Sequence, residues 1–433
     1  MADTIFNLPD FMPFLAEWRA RQAAFALRES YYDGTRYGRM REDLGWLYPR
    51  LYKAVKPLYL PLARAVDVDA GIVPGHWNFA DPDKADGVSQ SQVAGWHRAR
   101  RQLFDWSGWV TRGVLFVHYG AVLGASGLKV VDLRDKGEVQ VQPVNPRNFM
   151  LTSAGQYDST PAQSIWIEMR TTEDGPVEYA EVITPDAVRT FWDGEPRGID
   201  GRPAEYRNEL AFVPFVEVRH IETGKMLGES TYQKAMPLLD EVNQLASYLA
   251  DIIKKHTEPQ YIGTGVEPST LEHSGDNMWF ITNPAGDVKA LVPQIDIQGV
   301  LAFLQEIRDN VHGALPELAF DELKSKTQIA TATVELQLME LILKIQRIRP
   351  NYDQGLIEAM RMAGRAAAGM GLPDLSVLDD EMLALDDARP ILPVNPMDQI
   401  MLEQAQLALE MNRQMASGEG MTATATGPAN APA

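Results

Sequence analysis

Two helical segments with heptad-spaced apolar residues bracket a stretch that cannot be helical, and this limits the possible folds more than any other feature. In the first segment Leu238, Val242, Leu245, Leu249 and Ile252 alternate spacings of four and three, an apolar stripe along one helix face. Lys254, Lys255 and His256 stand where a helix C-terminus favours positive charge, and Pro259 follows. The next 35 residues, Gln260 to Gln294, carry Gly263, Gly265, Pro268, Gly275, Pro284 and Gly286. Apolar pieces at Met278–Ile281 and Val288–Val292 give this insert a β-like character: each could form a small local hairpin or pair with a neighbouring subunit by strand addition. A second helix runs from Asp296 to Leu315 through Val300, Phe303, Ile307 and Val311.

A polar loop then leads to a long helix. In it Val334, Leu338, Leu341, Ile345 and Ile348 make one heptad stripe, and Leu336, Met339 and Leu343 a second beside it. A helix apolar on two sides packs between neighbours, either within its own core or between subunits. Pro350 is expected to kink or break the helix, because its ring clashes with the carbonyl four residues back. Beyond Gly369 ten acids stand against two arginines, with a helix expected from about Asp398 to Met415. Residues 418–433, rich in Ala, Thr, Gly and Pro, read as a disordered tail.

The first half has a different texture. Phe14, Trp18, Phe25, Tyr31 and Tyr32 precede a turn at Asp33-Gly34 in a helical, aromatic start, and Ser89 or Ser91 is placed to cap a helix running to about Arg112. From Gly127 the period changes to two. Leu128–Leu133 and Glu138–Val141 flank Asp135-Lys136-Gly137 as a hairpin, with further strands expected at Ser164–Arg170, Glu178–Thr184, Val188–Trp192 and Phe212–His220. The fold class is therefore α+β, mainly helical, with antiparallel strands in the first half. The length of 433 residues is a soft prior for about three domains, and no internal repeat is visible.

Motifs for chemistry are missing. With no cysteine, a disulfide scaffold, a thiolate zinc site, an iron–sulfur cluster and a cysteine nucleophile are excluded. Gly224-Lys225 lacks the upstream glycine of a phosphate-cradling loop, and Gly263-Thr264-Gly265 does not open a helix. Asp81, Asp83 and Asp86-Gly87 nearly match a calcium loop, but the third ligand falls one position late. His76, His97, His118, His220, His256, His273 and His312 show no pairing at zinc-ligand spacing. No catalytic, cofactor or metal residue is assigned, and the chain does not read as an enzyme. A formal net charge of −19 argues against wrapping DNA or RNA, a grip that comes from lysine and arginine neutralising phosphates. The start, Met1-Ala2-Asp3-Thr4, lacks a basic region followed by an apolar run, so a cytoplasmic start is the default. The longest uncharged stretch, Gly113 to Leu128, is 16 residues and reads as a buried helix end and turn, so no membrane span is expected.

In this order, an α+β half, a stem–insert–stem, a polar loop, a long proline-bearing helix and an acidic helical end, the chain resembles the portal proteins of tailed bacteriophages. Tyr31-Tyr32-Asp33-Gly34 is similar to the turn ending the first portal helix. Val213-Pro214-Phe215-Val216, before a helix with Asp240, Glu241 and Asn243, is similar to the lead-in to the portal stem. Leu315-Pro316-Glu317-Leu318 resembles the short turn after the second stem helix, and Leu392-Pro393-Val394-Asn395 the lead-in to the crown. The loop after the Pro-acid turn departs from the family: Lys324 to Ala332 stands where relatives carry a Gly- or Asn-rich piece and an Ala-Ser-Gly.

The resemblance implies a wing (1–229), stem helices (230–258 and 295–316), a clip (259–294), a tunnel loop (317–330), a long wing helix (331–368), a crown (369–417) and a tail (418–433). It implies a homo-oligomeric ring of about twelve subunits at one capsid vertex of the virion, assembled in the host cytoplasm. Its partners would be double-stranded DNA passing weakly and non-specifically through the channel, the terminase large subunit, the head–tail connector or adaptor, and the major capsid and scaffolding proteins. Channel candidates are Lys324, Lys326, Thr327 and Gln328 on the loop and Glu306, Arg308 and Asp309 on the second stem helix. Subunit-interface candidates are Val334, Leu338, Leu341, Ile345, Ile348, Trp279 and Phe280. Two other readings stay open, another structural or adaptor protein of a phage particle and a soluble α+β enzyme.

Overall fold

The computed structural model describes residues 4–38, 59–75, 77–79, 88–153, 160–172, 175–199, 201–225, 227–257, 260–264, 271–274, 278–281, 287–291, 297–320, 336–386 and 389–391. The chain forms two units, Met1–Asp387 and Ala388–Ala433, and nearly all described residues belong to the first. The helix expected over 398–415 and the tail lie outside the described residues.

Two 3-10 turns, Thr4–Asn7 and Met12–Phe14, lead into α1 (Leu15–Tyr32), followed by α2 (Leu62–Ile72), α3 (Gln90–Ser107) and α4 (Trp109–Leu123). Ser89 caps α3: its hydroxyl accepts from Gln92 N at 3.3 Å while the Gln92 side chain accepts from Ser89 N at 3.1 Å. Such a capping box is worth about 1 kcal/mol. The single helix expected to reach Arg112 is two helices, because Gly108 adopts φ 60° and ends α3. A side chain would be strained in that left-handed conformation.

The expected hairpin forms. β1 (Ala125–Leu133) pairs with β2 (Glu138–Val144), Leu133 opposite Glu138 across the Asp135-Lys136-Gly137 turn. On its other edge β1 pairs with β9 (Phe215–Arg219), giving a three-stranded sheet. Between them lies a six-stranded antiparallel sheet. It comprises β3 (Phe149–Ser153), β4 (Pro161–Thr172), β5 (Gly175–Ile183), β6 (Ala187–Trp192) and β7 (Glu195–Pro196), with β8 (Glu205–Arg207) also paired to β6. The aromatic N-terminus covers this sheet: Ile5, Phe6, Phe11 and Trp18 pack on Met150, Ile165, Ile167, Val182 and Phe191. Glu178 holds the first turn, its Oε1 accepting from Thr4 N (3.0 Å) and Ile5 N (3.3 Å).

The predicted helix–insert–helix arrangement follows. α5 (Met236–Thr257) and α6 (Ile297–Ala314) pack together. Between them two antiparallel ladders are nested, β10 (Gln260–Thr264) with β13 (Asp287–Leu291) outside and β11 (Leu271–Ser274) with β12 (Met278–Ile281) inside. Both apolar pieces of the insert thus find strand partners locally. After a 3-10 turn, Pro316–Leu318, come α7 (Met339–Gly369) and the short α8 (Pro373–Ser376). Pro350 does not break α7. It stands on the exposed side, where water can satisfy the carbonyl of Gln346 that loses its partner, while buried Ile348, Arg349 and Tyr352 hold the helix against the core on either side. Among the described residues, no helix is long and apolar enough to cross a membrane.

One core joins these parts. Phe25, Leu62, Val66, Ala121, Leu239, Val242, Ile307, Val311 and Leu315, from α1, α2, α4, α5 and α6, form a single buried cluster. The long helix α7 crosses β1, β2 and β9. It approaches α4 closely because residue 120 is glycine: a Cβ there would lie 1.7 Å from the Tyr352 hydroxyl. Gly120→Ala is therefore expected to cost about 1–3 kcal/mol by overpacking, measured as a lowered midpoint of urea unfolding.

Candidate functional site

Two of the short motifs meet where α1 runs onto α5. Tyr31 donates its hydroxyl to Asp240 Oδ2 at 2.7 Å, and burial with that neighbouring carboxylate pushes the phenol up to about 12. Asn243, fully buried, donates Nδ2 to Tyr37 Oη (2.9 Å) and to Leu239 O (2.9 Å), and accepts from Tyr59 N (2.8 Å). The base of the helix pair is therefore pinned to the N-terminal helices by polar contacts inside an apolar cluster, where an unmade hydrogen bond is expensive.

A second polar group lies deeper and involves more elements. Asp69 on α2, His220 just after β9, Thr231, Glu317 in the 3-10 turn and Tyr352 on α7 are all buried, and Lys344 of α7 reaches in among them. The donors run in one direction. Thr231 Oγ1 donates to Asp69 Oδ2 at 2.5 Å, so it accepts from His220 Nε2 at 2.9 Å, and His220 Nδ1 is left to accept from the Tyr352 hydroxyl at 2.8 Å. That order requires a neutral imidazole with its proton on Nε2, in keeping with the burial that pushes His220 below its ordinary range. The Lys344 ammonium donates to Glu317 Oε1 and to Thr231 O (3.2 Å) and stands 3.7 Å from Asp69 Oδ2. Lys344 and the hydrogen bonds from Thr231 and His220 outweigh the burial of Asp69 and hold its carboxyl down to about 2. Glu317 has fewer donors and faces the Asp69 charge, so burial pushes it up to about 8.

The two apolar stripes of the long helix point in different directions. Leu338, Leu341, Ile345 and Ile348 are buried in the subunit's own core. Leu336, Met339 and Leu343 stay 71%, 44% and 57% exposed. On the helix pair Ile253, Leu301 and Phe303 are exposed too, all beyond the part of the pair that packs into the shared buried cluster. Glu306, Arg308 and Asp309 are exposed on α6. By helical spacing Glu306 and Asp309 stand opposite the packed residues Ile307, Val311 and Leu315, while Arg308 stands at the edge of that stripe. Trp279 and Phe280 lie on β12. Lys324, Lys326, Thr327, Gln328 and Val334 lie outside the described residues.

The family model for phage portal proteins of the SPP1 Gp6-like kind matches residues 128–373, more than half of the chain. The chain belongs to the phage portal protein family. The match starts in β1 and ends at the first residue of α8, so it takes in both sheets, the helix pair with its nested ladders, and the long helix. No curated protein matches the chain. This portal family is a structural one.

The buried polar group of this portal protein was not singled out from sequence. Its one signal is the isolated charged residue in an apolar setting: Asp69 between Val68 and Ala70, and Lys344 between Leu343 and Ile345. Nothing in the spacing pairs residues 69, 317 and 344. Lys344→Met is expected to destabilise the subunit by about 3–5 kcal/mol, because it leaves carboxylates buried without their cation; the loss would be read from urea unfolding.

Proposed function

We propose that this portal-family chain is the subunit of a ring of about twelve copies that occupies one capsid vertex, passes the genome during packaging and ejection, and docks the terminase large subunit and then the head–tail adaptor. Packaging energy would come from the terminase, with the ring as passage. The observation that carries this reading is the family match across the helix pair, its nested ladders and the long helix. The apolar surface supports it: a subunit of a closed ring needs two different adhesive faces, and Leu336, Met339 and Leu343 on one helix, with Ile253, Leu301 and Phe303 on the pair, are left uncovered in the single chain.

In this reading the wing is residues 1–229 with the long helix 331–368, the stem 230–258 and 295–316, the clip 259–294, the tunnel loop 317–330 and the crown 369–417. Glu306 and Asp309, opposite the packed side of α6, would face the channel. The outward stripe of α7, rather than the inward one, would meet the neighbouring subunit. Val334, Trp279 and Phe280 remain interface candidates. A net charge of −19 per copy makes the ring a repulsive wall within a Debye length of about 8 Å, which suits sliding DNA rather than gripping it. Lys324 and Lys326, with Thr327 and Gln328, would supply the transient phosphate contacts.

Negative-stain images of the purified protein should show rings with a central hole and about twelvefold symmetry; monodisperse monomers would overturn the assembly. Leu343→Asp should abolish rings in light scattering while leaving the circular-dichroism spectrum of the subunit unchanged, since that side chain is outside the core. The double variant Lys324→Ala, Lys326→Ala should form normal rings but alter DNA packaging or retention, and normal DNA-filled heads would sink that role.

A further inference from the structure

The group around Lys344 contains more negative charge than its cation can balance. Asp69 and Glu317 share one ammonium, and both are fully buried. Among the described residues Asp69 Oδ1 and Glu317 Oε2 find no hydrogen-bond partner, whereas Asp69 Oδ2 and Glu317 Oε1 both face Lys344. Water cannot reach either oxygen to screen a second charge, so two ionised carboxylates here would leave a net negative charge inside the protein.

Among the described residues, the surroundings offer no further cation to the pair. On α2 the inward ionisable group is Asp69 itself, while Arg349 of α7 donates Nη2 to Ile72 O at 2.9 Å. After β9, His220 is committed as a neutral ring between Tyr352 and Thr231, and its neighbour Arg219 pairs outward with Glu222 at 2.9 Å. From α4 the approach is made by Gly120, which carries no charge. From α7 come Lys344 and the Tyr352 hydroxyl, and from the 3-10 turn comes Glu317.

We propose that Asp69, Glu317 and Lys344 form a proton-controlled latch, in which the turn Pro316–Leu318 is clasped to α2 and α7 while Glu317 carries a proton and is released as pH rises. In the closed state Asp69 and Lys344 are an ion pair, and Glu317 is a neutral acid accepting from Lys344 through Oε1. Opening exposes Glu317 to water, where it gives up its proton. The opening equilibrium therefore releases one proton between the ordinary glutamate range, near 4.5, and the raised value of about 8. The clasp is tightest below that window and is lost as pH climbs through it. This device belongs to the subunit's own packing and stands whether or not the portal assembly is as drawn above. The turn lies between α6 and α7 in sequence, so releasing it would uncouple the helix pair from the long helix.

Hydrogen–deuterium exchange read by mass spectrometry on the purified full chain tests this, from about pH 6.5 to about pH 9, with labelling times scaled for intrinsic exchange. His220 is neutral when buried, and above about pH 7.5 an exposed imidazole is neutral too, so the slope there belongs to Glu317 alone. In the wild type, peptides covering 312–320 and 338–352 should open about tenfold more per pH unit up to about pH 8 and then level off. Peptides from the six-stranded sheet, residues 161–192, should stay flat. Glu317→Gln, which is neutral at every pH, should remove the slope from the first two regions. Asp69→Asn, which leaves one carboxylate for one ammonium, should bring the levelling-off below the tested range. A flat wild-type profile overturns the latch whether or not either variant folds, and so does a Glu317→Gln profile with the wild-type slope.

Discussion

A single ammonium placed between two buried carboxylates ties the long helix to the rest of the subunit. Lys344 touches Glu317 and Thr231 and stands beside Asp69, so α7, the turn after α6, α2 and the segment after β9 all end at one charge. Such a cluster adds little net stability over an apolar core of equal volume, because desolvation offsets most of the attraction. It does specify geometry. In the observed arrangement of these four elements the ammonium, the imidazole and the threonine hydroxyl are satisfied together, and the absence of a side chain at Gly120 lets Tyr352 complete the set.

That fixed point orients the faces on either side of it. With Leu341, Ile345 and Ile348 turned inward, helical spacing leaves Leu336, Met339 and Leu343 outside. The same logic applies to α6, where burying Ile307 and Val311 turns Glu306 and Asp309 away from the subunit core. Which apolar and acidic side chains lie exposed is thus a consequence of how two helices seat on one core. The strong acidity opposes DNA wrapping, a grip that would need lysine and arginine on the phosphates.

Much of this was legible in advance. The hairpin, a serine cap at the start of α3, the paired helices and the strand-forming insert follow from period, turn residues and capping chemistry, which act over a few residues. Two expectations gave way to context. Arg112 was expected inside one helix that Gly108 divides, and Pro350 was expected to disturb a helix that tertiary packing carries through it. At Gly108 the left-handed conformation open to glycine ends the helix locally, whereas at Pro350 packing on either side carries the helix through.

By itself the sequence determined that this chain is α+β and that two amphipathic helices bracket a strand-bearing insert, and its order of elements resembles that of portal proteins. Those properties depend on patterns along the chain. Only the tertiary structure decided which stripe of the long helix faces inward, that Tyr31 reaches Asp240, and that residues 69, 317 and 344 share one buried charge site. Charge interactions of that kind depend on distance and burial, and neither can be read from spacing when the partners lie hundreds of residues apart.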